Sequence, residues 1–185
     1  MILPKVHTNF LSKSQCDRYV QYIESSDLWE DNGDGVWNKR SINLHTMGDN
    51  VREELLDIRF NVKETLQQDF ETTDNIYVDI FQFVRWQIDD VLYPHADAEN
   101  PDGSTHPFPY RNFAAVIYLN DNYSGGQIYF PTLENYQPVV TPGTLVIFPG
   151  TLEYLHGVTK IRSGTRYTIA GFFTYDRTKR DIYRI

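Results

Sequence analysis

Three residues define the chemistry open to this chain: His95 and Asp97, separated by Ala96, and His156 much further along. In an extended segment, side chains two apart point to the same face, so His95 and Asp97 can reach one ion while Ala96 turns away. His156 follows His95 by 61 positions, and in a sheet-rich fold a neighbouring strand can bring it up to close the set. Two imidazoles and a carboxylate suit ferrous iron held on one face, with the opposite positions open to small molecules. The same donors also take zinc, cobalt or manganese. Taken alone, such a triplet and a later histidine recur by accident, often in surface loops.

Ten residues after His156 stands Arg166, preceded by Ser163-Gly164-Thr165, which reads as a tight turn. It is followed by Tyr167-Thr168-Ile169-Ala170-Gly171-Phe172-Phe173, which reads as a buried strand. A guanidinium entering an apolar strand needs a partner, because burying it unpaired is costly. An internal Asp or Glu would serve, and so would a dicarboxylate ligand bound bidentately. Thr168 lies two residues on and faces the same way, so its hydroxyl can bond to the same carboxylate.

The elements that must carry these residues fall into two regions. At 185 residues the chain is sized for a single domain spanning 1–185, with a helical part over about 1–70 and a β-rich core over about 76–175. Ser12-Lys13-Ser14-Gln15 reads as a capping box, with Cys16, Tyr19, Val20 and Ile23 forming one apolar helical face that ends near Ser25 or Ser26. Asp31-Asn32-Gly33-Asp34-Gly35 is turn chemistry. A second, longer helix is expected from Asn50, capped reciprocally by Glu53, with Val51, Leu55, Ile58, Val62 and Leu66 packing against a sheet.

After Phe70, β-branched and aromatic runs separated by Gly, Pro and Asn replace the helical period. Strands are expected at Ile76–Trp86, Phe113–Leu119, Gln127–Phe130, Gln137–Val140, Thr144–Phe148, Leu155–Lys160 and Thr165–Tyr175. That number suggests an antiparallel sandwich or barrel, with jelly-roll closure a natural way to manage the edges. The irregular stretch from Ala98 to Arg111 begins just after the triplet and is long enough to have a function. It reads equally as a substrate lid, with His106, Phe108 and Tyr110 as contacts, or as a mobile surface loop. His7 and His45 lie outside the β-rich region and are read as having no part in a site.

Composition narrows the class further. A net charge of −8 argues against nucleic acid as the main partner, and the basic residues Arg177, Lys179, Arg180 and Arg184 read as a solvated end. The single cysteine, Cys16, excludes an internal disulfide and favours a reducing, cytoplasmic setting. The opening Met1-Ile2-Leu3-Pro4-Lys5 is too short for a secretory signal, and no stretch approaches the roughly eighteen apolar residues that cross a bilayer, so no membrane association is expected.

The ordered series His95-x-Asp97, Tyr118-Leu119-Asn120-Asp121, Gly125-Gly126-Gln127-Ile128-Tyr129-Phe130-Pro131, Pro142-Gly143-Thr144-Leu145-Val146-Ile147-Phe148-Pro149, His156-Gly157-Val158 and Gly164-Thr165-Arg166 resembles the iron(II)/2-oxoglutarate-dependent dioxygenases of the prolyl 4-hydroxylase-like group, over about residues 76 to 175. The resemblance implies a double-stranded β-helix, a cupin-like jelly roll, flanked by N-terminal α-helices. It implies Fe(II) on His95, Asp97 and His156, and the distal carboxylate of 2-oxoglutarate on Arg166, with Tyr118 and Thr168 beside it. Dioxygen is the second implied cosubstrate, and ascorbate is compatible with the group.

The implied reaction is hydroxylation of an unactivated C–H bond, coupled to decarboxylation of 2-oxoglutarate to succinate. A peptidyl or small-molecule substrate would be hydroxylated. Related halogenases carry a small residue at the carboxylate position, so Asp97 favours hydroxylation. Two departures stand out: Trp86 occupies a position where relatives commonly have tyrosine, and Arg166 one where collagen-type relatives often have lysine. A non-catalytic cupin-like metal-binding or sensing module is the alternative, although Arg166 speaks against it. Zinc-dependent hydrolysis would leave Arg166 without a role.

Overall fold

The computed structural model describes residues 2–31 and 37–183, so the expected turn at Asn32-Gly33-Asp34-Gly35 and the tail residue Arg184 lie outside the described residues. Among the described residues, nine strands and two α-helices carry the fold. In chain order they are β1 (Lys5–His7), α1 (Lys13–Glu24), β2 (Ser41–Asn43), α2 (Asp49–Asp69), β3 (Tyr77–Trp86), β4 (Leu92–His95), β5 (Phe113–Tyr118), β6 (Ile128–Tyr129), β7 (Leu145–Pro149), β8 (His156–Val158) and β9 (Arg166–Thr174).

Six strands form one sheet in the order β1-β7-β5-β9-β3-β2, and three form a second in the order β4-β8-β6. Every recorded pairing is antiparallel. The two sheets face one another as the double-stranded β-helix implied by the sequence resemblance.

The large sheet is covered on both faces, and the period-2 alternation of its strands sorts residues between them. Phe113, Ala115 and Ile117 of β5, Leu145 and Ile147 of β7, and Tyr167, Ile169 and Phe173 of β9 pack in one core with Cys16, Tyr19 and Ile23 of α1 and Leu55, Ile58, Val62 and Leu66 of α2. The intervening residues, among them Ala114, Val116, Phe148, Arg166, Thr168, Ala170 and Phe172, line the space between the sheets. On β3 a register shift between Val78 and Ile80 resets the alternation. Val78 therefore packs with the helices, yet Ile80, Gln82, Val84 and Trp86 face the inter-sheet space.

The helices form for the reasons their sequences suggest, with one exception. Ser12 caps α1 in a full capping box, its backbone N–H donating to Gln15 Oε1 at 3.0 Å and Gln15 N–H donating back to Ser12 Oγ at 3.3 Å. The expected Asn50–Glu53 cap of α2 is absent: Gly48 is the N-cap and makes no side-chain bond. Asp49 opens the helix instead, where its carboxylate faces the positive end of the helix dipole and pairs with Arg52.

The strands differ from expectation at the short pieces. Gln137–Val140 is not a strand: Pro131 opens a single 3-10 turn over Pro131–Leu133, and Pro138, lacking a backbone N–H, follows the isolated Phe130–Tyr136 bridge. Strands β1, β2 and β4 are three or four residues long and show no usable alternation.

Arg59 of α2, only 1% exposed, ties a distant segment to this core. Its guanidinium pairs with Asp181 at 2.9 Å and also donates to the Tyr183 carbonyl. Asp181 accepts from His45 Nε2 at 3.1 Å as well, and its backbone N–H donates to Val78 O at 2.7 Å. Removing one member of such a buried pair strands the other charge. Arg59→Ala is therefore expected to lower stability by about 3–5 kcal/mol, read as a fall in the denaturant midpoint with little change in slope.

Candidate active site

His95 ends β4 and His156 begins β8, and the two are direct cross-strand partners. Opposed positions on an antiparallel pair bring side chains together, and the imidazole centroids lie 4.5 Å apart. Asp97 sits just past the end of β4, where Ala98 N–H donates to Gly150 O at 2.9 Å and fixes the turn away from the strand. Asp97 Oδ1 comes to 3.7 Å from His95 Nε2, and its Oδ2 to 3.9 Å from His156 Nε2. One donor atom from each of the three residues falls within a cluster no wider than 4.8 Å.

The protonation pattern suits a metal. His95 Nδ1–H donates to Tyr93 O at 3.0 Å and His156 Nδ1–H to Tyr154 O at 3.1 Å, so each ring presents the lone pair of Nε2 to the cluster. Burial among Phe130 and Phe148 pulls the His156 pKa down, outweighing the nearby Asp97 carboxylate and keeping the imidazole neutral. Asp97 Oδ2 is buried without a hydrogen-bond partner. An orphaned carboxylate oxygen facing two nitrogen lone pairs is an arrangement that a cation resolves.

Arg166, 2% exposed, opens β9 on the same cavity, whose volume is about 560 Å³. Among the described residues no carboxylate lies within ion-pair distance of it, and its Nε is buried without a partner. Its guanidinium lies 4.9 Å from the Tyr118 ring centroid, and the Tyr118 hydroxyl is also buried and unpartnered. Thr168 pairs directly with Tyr118 across β5 and β9 and lines the cavity with Arg166. The structure thus places His95, Asp97, His156, Arg166 and Thr168 on one cavity, with Tyr118 packed beside Arg166. The internal Asp or Glu that could have neutralised Arg166 is not found among the described residues.

Several cavity residues escaped the sequence reading. Gln82 of β3 faces the space because of the register shift beside it. Arg111, at the end of the 98–111 segment, is held by Asp79 at 2.8 Å and lies between the rings of Phe108 and Phe172 at 3.8 and 4.0 Å. A cation just before a predicted strand was the available signal. Tyr123 packs beside Arg166, and burial raises its pKa against the pull of that guanidinium. Trp86 does line the cavity, opposite Arg166, with its ring edge-on to Trp37 and beneath Arg40.

The 98–111 segment is tied down rather than loose: Glu99 accepts from Leu152 N–H at 2.6 Å, and Asn100 bonds to Ser104 and Thr105. His106 and Phe108 line the cavity, whereas Tyr110 packs on Phe108 and Lys179 away from the lining. His7 and His45 pair with Asp69 and Asp181, remote from the cluster.

A double-stranded β-helix with two histidines and a carboxylate gathered at one mouth defines a class of metal-dependent oxygenase. Residues 81–174, just over half of the chain, match the family model described as the 2OG-Fe(II) oxygenase superfamily, and the protein belongs to that family.

Human prolyl 3-hydroxylase 2 is 29% identical over 82 residues, covering 42% of this chain and 12% of that protein. Prolyl 3-hydroxylase 1 of Rattus norvegicus is 36% identical over 73 residues, covering 37% and 10%. The chain therefore spans only about a tenth of the length of these relatives. In fold it resembles the viral collagen prolyl hydroxylase of Paramecium Bursaria Chlorella virus-1, in its 2OG complex, with a TM-score of 0.71, 20% identity and coverage of 92% of this chain and 94% of that one. It also resembles a Trichoplax adhaerens prolyl hydroxylase in complex with a hypoxia inducible factor peptide fragment, with a TM-score of 0.68, 18% identity and coverage of 98% and 87%.

Close approach beside Arg166 depends on Gly126, which has φ +68°. A Cβ there would collide with the Ile161 side chain and come within 3.1 Å of Arg166 Cδ. Gly126→Ala is expected to cost at least the left-handed backbone penalty of about 1–2 kcal/mol, measured as a lowered melting temperature.

Proposed function

We propose that the protein is an Fe(II)- and 2-oxoglutarate-dependent hydroxylase acting on prolyl residues of a peptide. The observation that carries this reading is the buried Arg166 guanidinium, which no carboxylate of the described residues neutralises and whose Nε has no partner, on a cavity whose wall holds the orphaned Asp97 Oδ2 beside two Nε2 lone pairs.

His95, Asp97 and His156 would hold the iron, and Arg166, Tyr118 and Thr168 would hold the distal carboxylate of 2-oxoglutarate. Iron(II), when bound, supplies the redox chemistry by which dioxygen, 2-oxoglutarate and a C–H bond become succinate, carbon dioxide and a C–OH group. The chain's own contribution is placement. The Nδ1 bonds to Tyr93 O and Tyr154 O fix the two imidazoles, so donor geometry is set before any ligand arrives. Phe130, Phe148 and Ile128 close the wall around His156 and exclude water from it. Arg166, whose Nε has no partner, and the unpartnered Tyr118 hydroxyl present donors to a carboxylate without an internal carboxylate to displace among the described residues.

The peptidyl substrate is supported by the relatives' names and by the far end of the cavity, where Ile80, Ala114 and the Phe172 ring line the space with Phe108, His106 and the Asp79-paired Arg111. A flat, N–H-free prolyl ring suits that surface. The 98–111 segment would then be a fixed wall of the substrate cleft. A reducing, cytoplasmic setting and a single-domain organisation belong to the same proposal, with ascorbate as an optional accessory.

Protein prepared without oxygen and given Fe(II), 2-oxoglutarate and a proline-rich peptide should form succinate and hydroxylated peptide on exposure to air. Failure of a folded sample to form iron-dependent succinate overturns the catalytic reading; succinate without peptide hydroxylation overturns the prolyl substrate. Arg166→Ala should weaken 2-oxoglutarate binding about thirtyfold or more, because truncating one side of a buried charged pair costs about 2–5 kcal/mol. Its Co(II) absorption titration should match the wild type, and equal loss of metal would overturn the division of roles.

A further inference from the structure

The cavity floor on the large sheet is a grid fixed by strand register. Trp86 lies opposite Arg166; the next row is Val84, Thr168 and Tyr118; the next is Gln82, Ala170 and Val116; the last is Ile80, Phe172 and Ala114. Each row advances by two residues, about 7 Å along a strand. The groups suited to a carboxylate, Arg166, Thr168 and Tyr118, are confined to the first two rows. The fourth row is wholly apolar. Gln82 is the single polar residue of the third.

Gln82 is 7% exposed and lines the cavity, and among the described residues its side-chain amide makes no hydrogen bond. An amide that opens on a cavity without a protein partner keeps two donors and an acceptor available to whatever enters. Its backbone is already committed to the ladder with Ala170 of β9 on one side and Asn43 of β2 on the other, so the side chain cannot be relieved by local rearrangement of the strand.

We propose that Gln82 reads the peptide backbone of the substrate, donating from Nε2 to a main-chain carbonyl and accepting at Oε1 from a main-chain N–H beside the reacting prolyl residue. This rests on the peptidyl reading above. A carboxylate uses donors only and would leave Oε1 facing negative charge, whereas a peptide offers both halves of the match. The prolyl nitrogen carries no proton, so the N–H comes from a flanking residue and the carbonyl from the proline itself or its neighbour. Gln82 thereby fixes the depth to which the chain enters and sets which carbon of the ring meets the oxidant. It is a specificity-determining residue for the substrate, placed one row beyond the groups that take the cosubstrate.

The test uses the full chain loaded with Mn(II) and 2-oxoglutarate, where peptide binding can be measured by titration calorimetry without turnover. Gln82→Met, close to the native side chain in volume, should weaken binding of a proline-rich peptide about tenfold and leave 2-oxoglutarate affinity at the wild-type value. A peptide N-methylated at the main-chain nitrogen beside proline should lose a similar factor against the wild type and little further against Gln82→Met, because the two changes delete the same bond. Gln82→Asn, which withdraws the amide by one carbon, takes the same role if the methionine variant does not fold.

Additive losses overturn the proposed contact, and so does a loss confined to 2-oxoglutarate. If wild-type protein binds and hydroxylates no proline-containing peptide, the peptidyl reading falls and this inference with it. If it hydroxylates peptide and the Gln82 variants bind as tightly as the wild type, only the inference falls.

Discussion

Everything in this molecule depends on the large sheet keeping its two faces distinct. Along each of its central strands one set of alternate side chains meets the helices and the other faces the cavity, so a slip of one residue would exchange core for site. Arg166 and Thr168 face the cavity for the same reason that Tyr167 and Ile169 face α1 and α2. Burial of the apolar set therefore places the polar set, and the stability of the helical layer is what holds the guanidinium at its address. The small sheet has a simpler duty: pairing β4 with β8 puts His95 opposite His156.

The site is accordingly assembled from unfinished bonds. Asp97 Oδ2, Tyr118 Oη and Arg166 Nε are each buried without a partner. In a core built only for stability such groups would be paired or replaced. Here Asp97 and Arg166 line one cavity, with the carboxylate oxygen near the imidazoles and Tyr118 packed against the guanidinium. Membership of the 2OG-Fe(II) oxygenase superfamily accounts for why a chain would tolerate that expense.

How much of this could be read from the sequence followed the range of the interactions concerned. The triad, Arg166, Thr168 and Tyr118 were legible because residue type and order announce them, and α1 was legible to its cap because Ser12 and Gln15 interact locally. The α2 cap misled because an Asn-x-x-Glu pattern competes with an equally good acidic start at Asp49. Strands β1, β2 and β4 are made by partners far away in sequence and carry little pattern of their own. Gln82 was hidden for another reason: its face is decided by the irregularity between Val78 and Ile80, and no residue type at those positions encodes a bulge.

The tie between Arg59 and Asp181 bears on how the chain comes to be folded at all. The guanidinium waits in α2 for a carboxylate 122 positions downstream, just as β1 waits for β7 and β3 for β9. During synthesis both helices emerge with their apolar faces uncovered and one cation uncompensated, and nothing made by then can satisfy them. Order must arrive late and nearly at once, with the last strand of the large sheet closing its centre. A nascent chain of this topology is exposed to aggregation for most of its length, a vulnerability that follows from connectivity rather than from any weakness of the finished core.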